Sequence, residues 1–175
     1  MKKVILRHLT LADKDEFYSA LNELWEENFD FLHYWESLGH ESFETYVKIL
    51  PELSKGNLIP KEHVPCTFFL AFDENNKIVG RVSIRHELND HLLKVGGHIG
   101  YGVVPTFRRK GYATAILSEA LNYIKLNLQD IKKVLVTCDD DNIGSIKTIE
   151  RNGGVLENIL EFQGEKDKRR YWIKL

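Results

Sequence analysis

The chain of 175 residues is poor in the features that mark the specialised classes of protein. It has two cysteines, Cys66 and Cys138, which are too few for a disulfide framework and lack metal-ligand spacing. No apolar run approaches the roughly 20 residues of a membrane-spanning helix. The 24 basic and 26 acidic side chains nearly balance, which argues against a nucleic-acid-binding or membrane-binding surface. Any cationic site must therefore be a small cluster of basic side chains within a chain whose charges otherwise balance.

The remaining composition is that of an ordinary soluble globular protein, with 43% hydrophobic and 29% charged residues. The length suits one core, and we expect a single domain over residues 1–175. The first apolar run is broken by Arg7 and His8, short of the apolar segment of a signal peptide. Both cysteines lie in strand-like apolar runs, so we expect a cytoplasmic protein with reduced thiols.

Hydrophobic periodicity predicts the element order β-α-α-β-β-β-α-β-α-β-β. This is a mixed α/β fold of antiparallel hairpins with one β-α-β crossover. The second helical region is aromatic-rich and spans residues 31–53. A glycine-rich strand is predicted over residues 91–105, before the crossover helix, and residues 155–175 close the chain as two strands.

The segment with the clearest chemical content is "VVPTFRRKGYATAIL", residues 103–117, which joins an apolar strand to an amphipathic helix. Its turn carries Arg108, Arg109, Lys110 and Gly111. The first N–H groups of a helix lack partners, the helix dipole adds positive charge, and a glycine lets a ligand approach the backbone. The turn is therefore a candidate phosphate site. The alternative, a glycine that eases the turn beside solvated cations, stays open at this point.

Two common nucleotide-binding motifs are missing. The chain has neither the Walker pattern G-x-x-x-x-G-K-S/T nor the dinucleotide pattern G-x-G-x-x-G. A P-loop triphosphatase and a Rossmann dehydrogenase are therefore disfavoured.

The spacing Arg108-x-x-Gly111-x-Ala113 resembles the pyrophosphate loop, Q/R-x-x-G-x-G/A, of the GNAT superfamily of acyl-CoA-dependent N-acetyltransferases. A second segment agrees, because "VTCDDDNIGSIKTIERNGG" is similar to the family's fifth strand and following helix. It carries the N-x-x-S/A pattern at Asn142 and Ser145, and the usual glycine at Gly153. The order of elements is also similar over essentially the whole chain.

The resemblance implies an acetyl-CoA site, and we expect no metal. N–H groups from Arg108 to Thr114 would hold the pyrophosphate, and the backbone near Val103 and Val104 would pair with pantetheine where the fourth and fifth strands splay apart. Asn142 and Ser145 would contact the cofactor from the other side, or cap the last helix. The implied cofactor-binding residues are Val103, Val104, Arg108, Arg109, Lys110, Gly111, Tyr112, Ala113, Thr114, Asn142 and Ser145.

Acetyl transfer to an amine needs a general base, because an amine of pKa roughly 8 to 10.4 is mostly protonated at pH 7. The candidate catalytic base is His98, at a position where similar family members often carry a glutamate. Its alternative role as a satisfied strand histidine stays open, and His86 and Glu87 are weaker candidates. The family's usual device for the oxyanion is a backbone N–H, here near Val103.

The general acid is not identified by the resemblance. Many family members place a tyrosine seven residues after the motif asparagine, and here that residue is Ile149. Tyr101 or Tyr171 could substitute, and a thiolate of pKa about 8.5 can also leave unprotonated. Cys138 is better interpreted as a buried strand thiol than as a nucleophile.

Two further groups of residues have open interpretations. The carboxylates of Asp139, Asp140 and Asp141 suit a hard cation, yet adjacent carboxylates at a strand end are usually solvated or cap a helix. Four aromatic residues of the first two helical regions suit either a core or an acceptor pocket; they are Phe29, Phe31, Tyr34 and Trp35.

The sequence thus predicts an N-acetyltransferase that moves an acetyl group from acetyl-CoA to a primary amine. The expected partner is a small-molecule or peptide amine, with no nucleic acid and no membrane, and a homodimer is left open. The alternative is an acyl-CoA-binding sensor without efficient turnover, which the absent tyrosine favours. A basic-loop nucleic-acid binder is a weaker alternative, because its affinity would need an excess of cations.

Overall fold

The computed structural model describes residues 2–24, 32 and 42–175. Its strands are β1 (Ile5–Arg7), β2 (Cys66–Phe72), β3 (Ile78–Arg85), β4 (Ile99–Val103), β5 (Lys133–Asp139), β6 (Val155–Leu160) and β7 (Lys168–Lys174). Its helices are α1 (Lys14–Leu24), α2 (Phe43–Ser54), α3 (Asp90–Lys94), α4 (Tyr112–Asn127) and α5 (Ile143–Arg151). The four aromatic residues 29, 31, 34 and 35, which were considered for an acceptor pocket, lie outside the described residues. No helix in these ranges combines the length and apolarity needed to cross a bilayer.

The predicted α/β class and order of elements are confirmed, with one addition. The strand predicted over residues 91–105 begins only at Ile99, and its first part forms the short helix α3. The side chain of Asn89 caps this helix by accepting the Leu92 N–H at 2.9 Å. Gly96 and Gly97, both at positive φ, then turn the chain into β4. The capping asparagine therefore outweighs the strand-like pattern of "HLLKV".

The strands form two sheets, and the β4 edge of one lies beside the β5 edge of the other. The first sheet has the order β1-β2-β3-β4 and the second has the order β5-β7-β6, with antiparallel pairing throughout. Strand β2 is buried on both faces. Its Phe69 and Ala71 pack in the core under α4 and α5, and Phe68 and Leu70 pack in the core under α1 and α2. The first sheet is therefore covered on both faces.

The residues just before β4 are hydrogen-bonded to β5. The backbone N–H of His98 donates to the carbonyl of Leu135 at 2.8 Å, and the Leu135 N–H donates to His98 Nδ1 at 3.0 Å. A Cβ at Gly97 would collide with the Leu135 carbonyl, so the chain needs a glycine at this approach. Beyond this point β4 and β5 belong to different sheets and share no ladder over Ile99–Val103. The divergence leaves a gap between them.

Candidate functional site

A cleft of about 720 Å³ opens at this divergence. It is bounded by β4, by the loop before α4 with the first turn of that helix, and by one face of α5 along its whole length. Nine of the predicted cofactor-binding residues line it: Val103, Arg108, Arg109, Gly111, Tyr112, Ala113, Thr114, Asn142 and Ser145. Two do not, because Val104 is fully buried in the core under α1 and α2, and Lys110 donates to the Thr106 carbonyl at 2.7 Å. The tertiary structure thus gathers two motifs that are about 30 residues apart.

The outer edge of β4 presents backbone polar groups to this cleft. The ladder with β3 uses the even-numbered residues, since the Arg85 N–H donates to the His98 carbonyl and the Val104 N–H to the Val79 carbonyl. Antiparallel pairing alternates, so the N–H and C=O groups of Tyr101 and Val103 point away from β3. The Val103 carbonyl accepts a hydrogen bond from Arg108 Nε at 3.0 Å. The edge can accept an extended ligand as an additional strand.

The loop before α4 aims donors at the same cleft. Gly111, at φ +88°, is the N-cap of α4, and Arg109 is also left-handed at φ +61°. The first bond onto the helix runs from the Ala115 N–H to the Gly111 carbonyl at 3.3 Å. The N–H groups of Tyr112, Ala113 and Thr114 therefore precede the helical hydrogen-bond ladder and point along the axis with the positive end of the dipole. This is an anion-binding geometry.

The side chains around the cleft add positive charge. Its lining includes Arg108, Arg109, Lys147 and Arg151, and no carboxylate of the described residues is among the lining side chains. Lys147 and Arg151 are four residues apart on α5, so they share one helix face. They were not predicted from the sequence, because a lysine and an arginine at this spacing usually belong to a solvated face. The cleft is suited to a polyanionic ligand.

Asn142 and Ser145 combine capping with a place in the cleft. The Asn142 side chain accepts the Ser145 N–H at 3.0 Å and so caps α5. Both residues also line the cleft. The capping alternative is therefore observed, and a ligand contact by the same residues stays a prediction.

His98 lies at the junction of the two sheets and is not brought into the cleft. Its side chain is buried, and burial, with a further contribution from the Arg85 charge, lowers its pKa to about 4. Because Nδ1 accepts the Leu135 N–H, the proton of the neutral ring is on Nε2. This geometry joins the sheets. The role of His98 as the general base stays a prediction.

The other candidate acid and base residues are spread apart. Ile149 is fully buried in the core, where its Cγ2 packs against the chain at Gly154. The ring of His86 bonds Thr67 Oγ1 at 2.8 Å. The Tyr171 hydroxyl lies 3.5 Å from Glu150 Oε1. Of the sequence's candidate acids, only Tyr101 lines the cleft among the described residues.

Cys138 is a buried thiol, and the three aspartates at the end of β5 are held in ion pairs. Burial raises the pKa of the Cys138 thiol to about 11, so it is not a thiolate at neutral pH. The aspartates form ion pairs, Asp139 with Lys168 at 2.5 Å, Asp140 with Arg169 at 2.6 Å and Asp141 with Lys166 at 2.8 Å. Within the described ranges, no three His, Cys, Asp or Glu side chains form a metal-binding group.

An anion-binding helix start beside an open strand edge defines a class of α/β protein whose cleft suits a long phosphorylated ligand. The profile of the acetyltransferase (GNAT) domain matches residues 3–155, and the chain belongs to this GNAT family. It is 32% identical over 92 residues to YjdG, an uncharacterized N-acetyltransferase of Bacillus subtilis (strain 168). That similarity spans about half the length of the curated relative, 52%, and 53% of this chain.

Solved structures share the fold. The Microcin C7 self-immunity acetyltransferase MccE, in complex with acetyl-CoA and AMP, has a TM-score of 0.67 and 20% identity, covering 99% of this chain and 93% of its own. RimL, the ribosomal L7/L12 alpha-N-protein acetyltransferase, has a TM-score of 0.66 and 19% identity, covering 100% and 92%. Mutant forms of the spermidine/spermine N-acetyltransferase SpeG from Vibrio cholerae have a TM-score of 0.63 and 21% identity, covering 98% and 93%.

Proposed function

We propose that this protein transfers the acetyl group of acetyl-CoA to a primary amine. The observation that carries the proposal is that one cleft holds both a helix N-terminus whose free N–H groups suit an anion and a strand edge whose free backbone groups suit extended amides. Coenzyme A has both chemistries in sequence, a pyrophosphate followed by the amides of pantetheine. The MccE complex with acetyl-CoA supports the choice of cofactor.

The roles of the cleft residues follow from their positions. The N–H groups of Tyr112, Ala113 and Thr114 bind the pyrophosphate, and Arg108 and Arg109 add positive charge at the rim. The outer edge of β4 at Tyr101 and Val103 pairs with pantetheine. The thioester then lies beside this edge, where a β4 N–H stabilises the oxyanion that forms when the amine attacks.

The acceptor belongs to a broad class. RimL acts on a protein amino terminus and SpeG on polyamines, as their names state. We propose a primary amine of one of these kinds as the acceptor.

The test is a panel of amines assayed for release of free coenzyme A thiol from acetyl-CoA. The panel spans polyamines, amino acids, aminoglycosides and peptides with free amino termini. We expect at least one class to give saturable, stoichiometric acetylation. The second candidate function, an acyl-CoA sensor, is favoured by Ile149 at the usual tyrosine position. Tight acetyl-CoA binding without turnover on any amine would support the sensor and contradict the enzyme.

The two unpredicted cations on α5 provide a sharper test of the cofactor. Replacing both Lys147 and Arg151 with alanine should weaken acetyl-CoA binding roughly tenfold, because charge-assisted bonds to phosphate are lost. If they bind the 3′-phosphate, the loss is smaller with 3′-dephospho-coenzyme A. Calorimetric titration measures both affinities.

The matched control removes two exposed cations elsewhere, Lys125 on α4 and Lys174 at the end of β7. This double variant changes the net charge equally and should bind acetyl-CoA as tightly as the unmodified chain. An unchanged affinity in the Lys147 and Arg151 variant would contradict the assignment of these residues to the cofactor.

A further inference from the structure

We propose that Tyr101 is the general acid of acetyl transfer, which donates its hydroxyl proton to the sulfur of coenzyme A as the C–S bond breaks. The inference rests on the proposed function and identifies a residue for a role that the sequence motif leaves vacant at Ile149.

The first observation is the state of the Tyr101 hydroxyl. It has almost no accessible surface and completes no hydrogen bond in the part of the chain that the structure describes, with the hydroxyls of Ser145 and Thr148 beside it. A buried hydroxyl without a partner is costly, so its retention calls for an explanation. Tyr101 lines the cleft, so a rotation of its ring that exposes the hydroxyl lets a ligand there supply the partner.

The second observation is where the ring lies relative to the strand edge. Tyr101 pairs with Val82 across β3 and β4, and Val82 belongs to the core under α4 and α5. Paired residues share a sheet face, so the ring points toward the α5 side of the cleft. Its backbone faces the outer edge, where pantetheine pairs. One residue thus contributes both the edge and a hydroxyl beside it.

Other acid candidates are disfavoured by position. Tyr112 also lines the cleft, but its ring packs against Phe107 at 5.6 Å and under the Lys2 ammonium at 5.4 Å, at the anion-binding end. The Tyr171 hydroxyl faces Glu150 and Arg169 instead of the cleft. Tyr101 is the cleft tyrosine on the strand edge where the thioester is expected.

The surroundings keep the phenol protonated. Burial raises the pKa of Tyr101 to about 12, and the hydroxyls of Ser145 and Thr148 on α5 offset part of that rise, although neither completes a hydrogen bond to it. The titratable group that faces it from β5 is Cys138, whose effect is to raise the pKa further. At neutral pH the group is therefore a proton donor.

The proton balance closes without another reactant. The neutral amine attacks the thioester carbon, the C–N bond forms and the carbonyl electron pair moves to oxygen. The pair returns, the C–S bond breaks, and sulfur takes its electron pair and the Tyr101 proton. The phenolate then takes the proton that the acetylated nitrogen releases. One proton passes in total from amine to thiol.

The test begins with Tyr101→Phe, which removes the hydroxyl and keeps the ring. We expect kcat to fall by roughly 10- to 100-fold. This is at the low end of the rate loss usual for removing a general acid, because a thiolate can also leave without being protonated. The Kd for acetyl-CoA and the melting temperature should change little. Tyr171→Phe is the matched control, because it removes a tyrosine hydroxyl outside the cleft and should retain kcat.

A second measurement separates proton donation from packing. Fluorinated tyrosine at position 101 is a stronger acid, so the decline of kcat at alkaline pH should move to lower pH. The same residue at position 171 should leave the profile unchanged, and Cys138→Ala shows whether the thiol contributes to the alkaline limb. An unchanged limb with fluorotyrosine at 101, or full kcat in Tyr101→Phe, would overturn the inference while the proposed function stands. Acetyl-CoA binding without turnover by the unmodified chain would overturn both.

Discussion

Replacing Gly111 with alanine is expected to weaken acetyl-CoA binding by about tenfold or more at a cost of only about 1–2 kcal/mol in folding free energy. A Cβ at this position would meet only Lys2 Cγ, at 3.9 Å, so it causes no collision. The cost comes from φ +88°, which a residue with a Cβ adopts unfavourably. The loop can relieve this strain by rotating the first N–H groups of α4 away from the cleft. Valine should increase the effect, because its branched Cβ fits this region less well.

Gly164 provides the control for this prediction. It lies in the turn between β6 and β7 at φ +81°, and a Cβ there would have no atom within 4 Å. Gly164→Ala therefore introduces similar backbone strain away from the cleft, and we expect a similar loss of stability with unchanged affinity. Calorimetric titration with acetyl-CoA and thermal unfolding measure the two quantities. Equal affinities for Gly111→Ala and the unmodified chain would mean that the loop does not bind the cofactor.

Replacing His98 with alanine is expected to destabilise the fold by about 3 kcal/mol, since it removes a buried ring and leaves the Leu135 N–H without an acceptor. For a chain of this size the melting temperature should fall by about 6–12 °C. Asparagine can place an amide oxygen near the position of Nδ1, so His98→Asn should retain much of the stability. Equal stability of the alanine variant and the unmodified chain would contradict the bridging role.

The pH dependence of stability offers an independent test of the same contact. A His98 pKa of about 4 lies below the ordinary value of 6.5, so the folded state binds this proton less readily than the unfolded state. The stability that the unprotonated His98 contributes to the folded state is fully present above pH 6.5 and is lost as the pH falls toward 4. The free energy of unfolding should decrease by about 3 kcal/mol in total through this group. The loss of stability on acidification should therefore be smaller in His98→Asn. Denaturant unfolding between pH 7 and pH 4 measures the difference.

The same variant tests the predicted role of His98 in catalysis. If the imidazole is the general base, His98→Asn lowers kcat strongly at saturating acetyl-CoA and abolishes the acidic limb of the pH–rate profile. Retention of kcat and of that limb would place the base elsewhere. Either result is interpretable, because the stability of the variant is measured in parallel.

Most of the element order could be predicted because the helices and strands have local signals. The hydrophobic periodicity of α4 and the Asn142 cap of α5 are each visible within a short segment of sequence, and the structure contains both helices. Helix α3 was missed, since five residues provide too little periodicity and the signal lay in the Asn89 cap. The cations Lys147 and Arg151 were missed for a different reason. Their partner surface comes from a loop about 40 residues earlier, which periodicity does not reveal.

The sequence by itself determined the order of elements, the likeness to an acyl-CoA-binding loop and the absence of the usual tyrosine at Ile149. Only the tertiary structure decided what His98 and Tyr101 face, although they are three residues apart. An odd separation along a strand places two side chains on opposite faces. Which face meets α5 depends on how the two sheets pack and diverge at Leu135. Long-range packing therefore anchors His98 at the junction and places the Tyr101 side chain along the cleft.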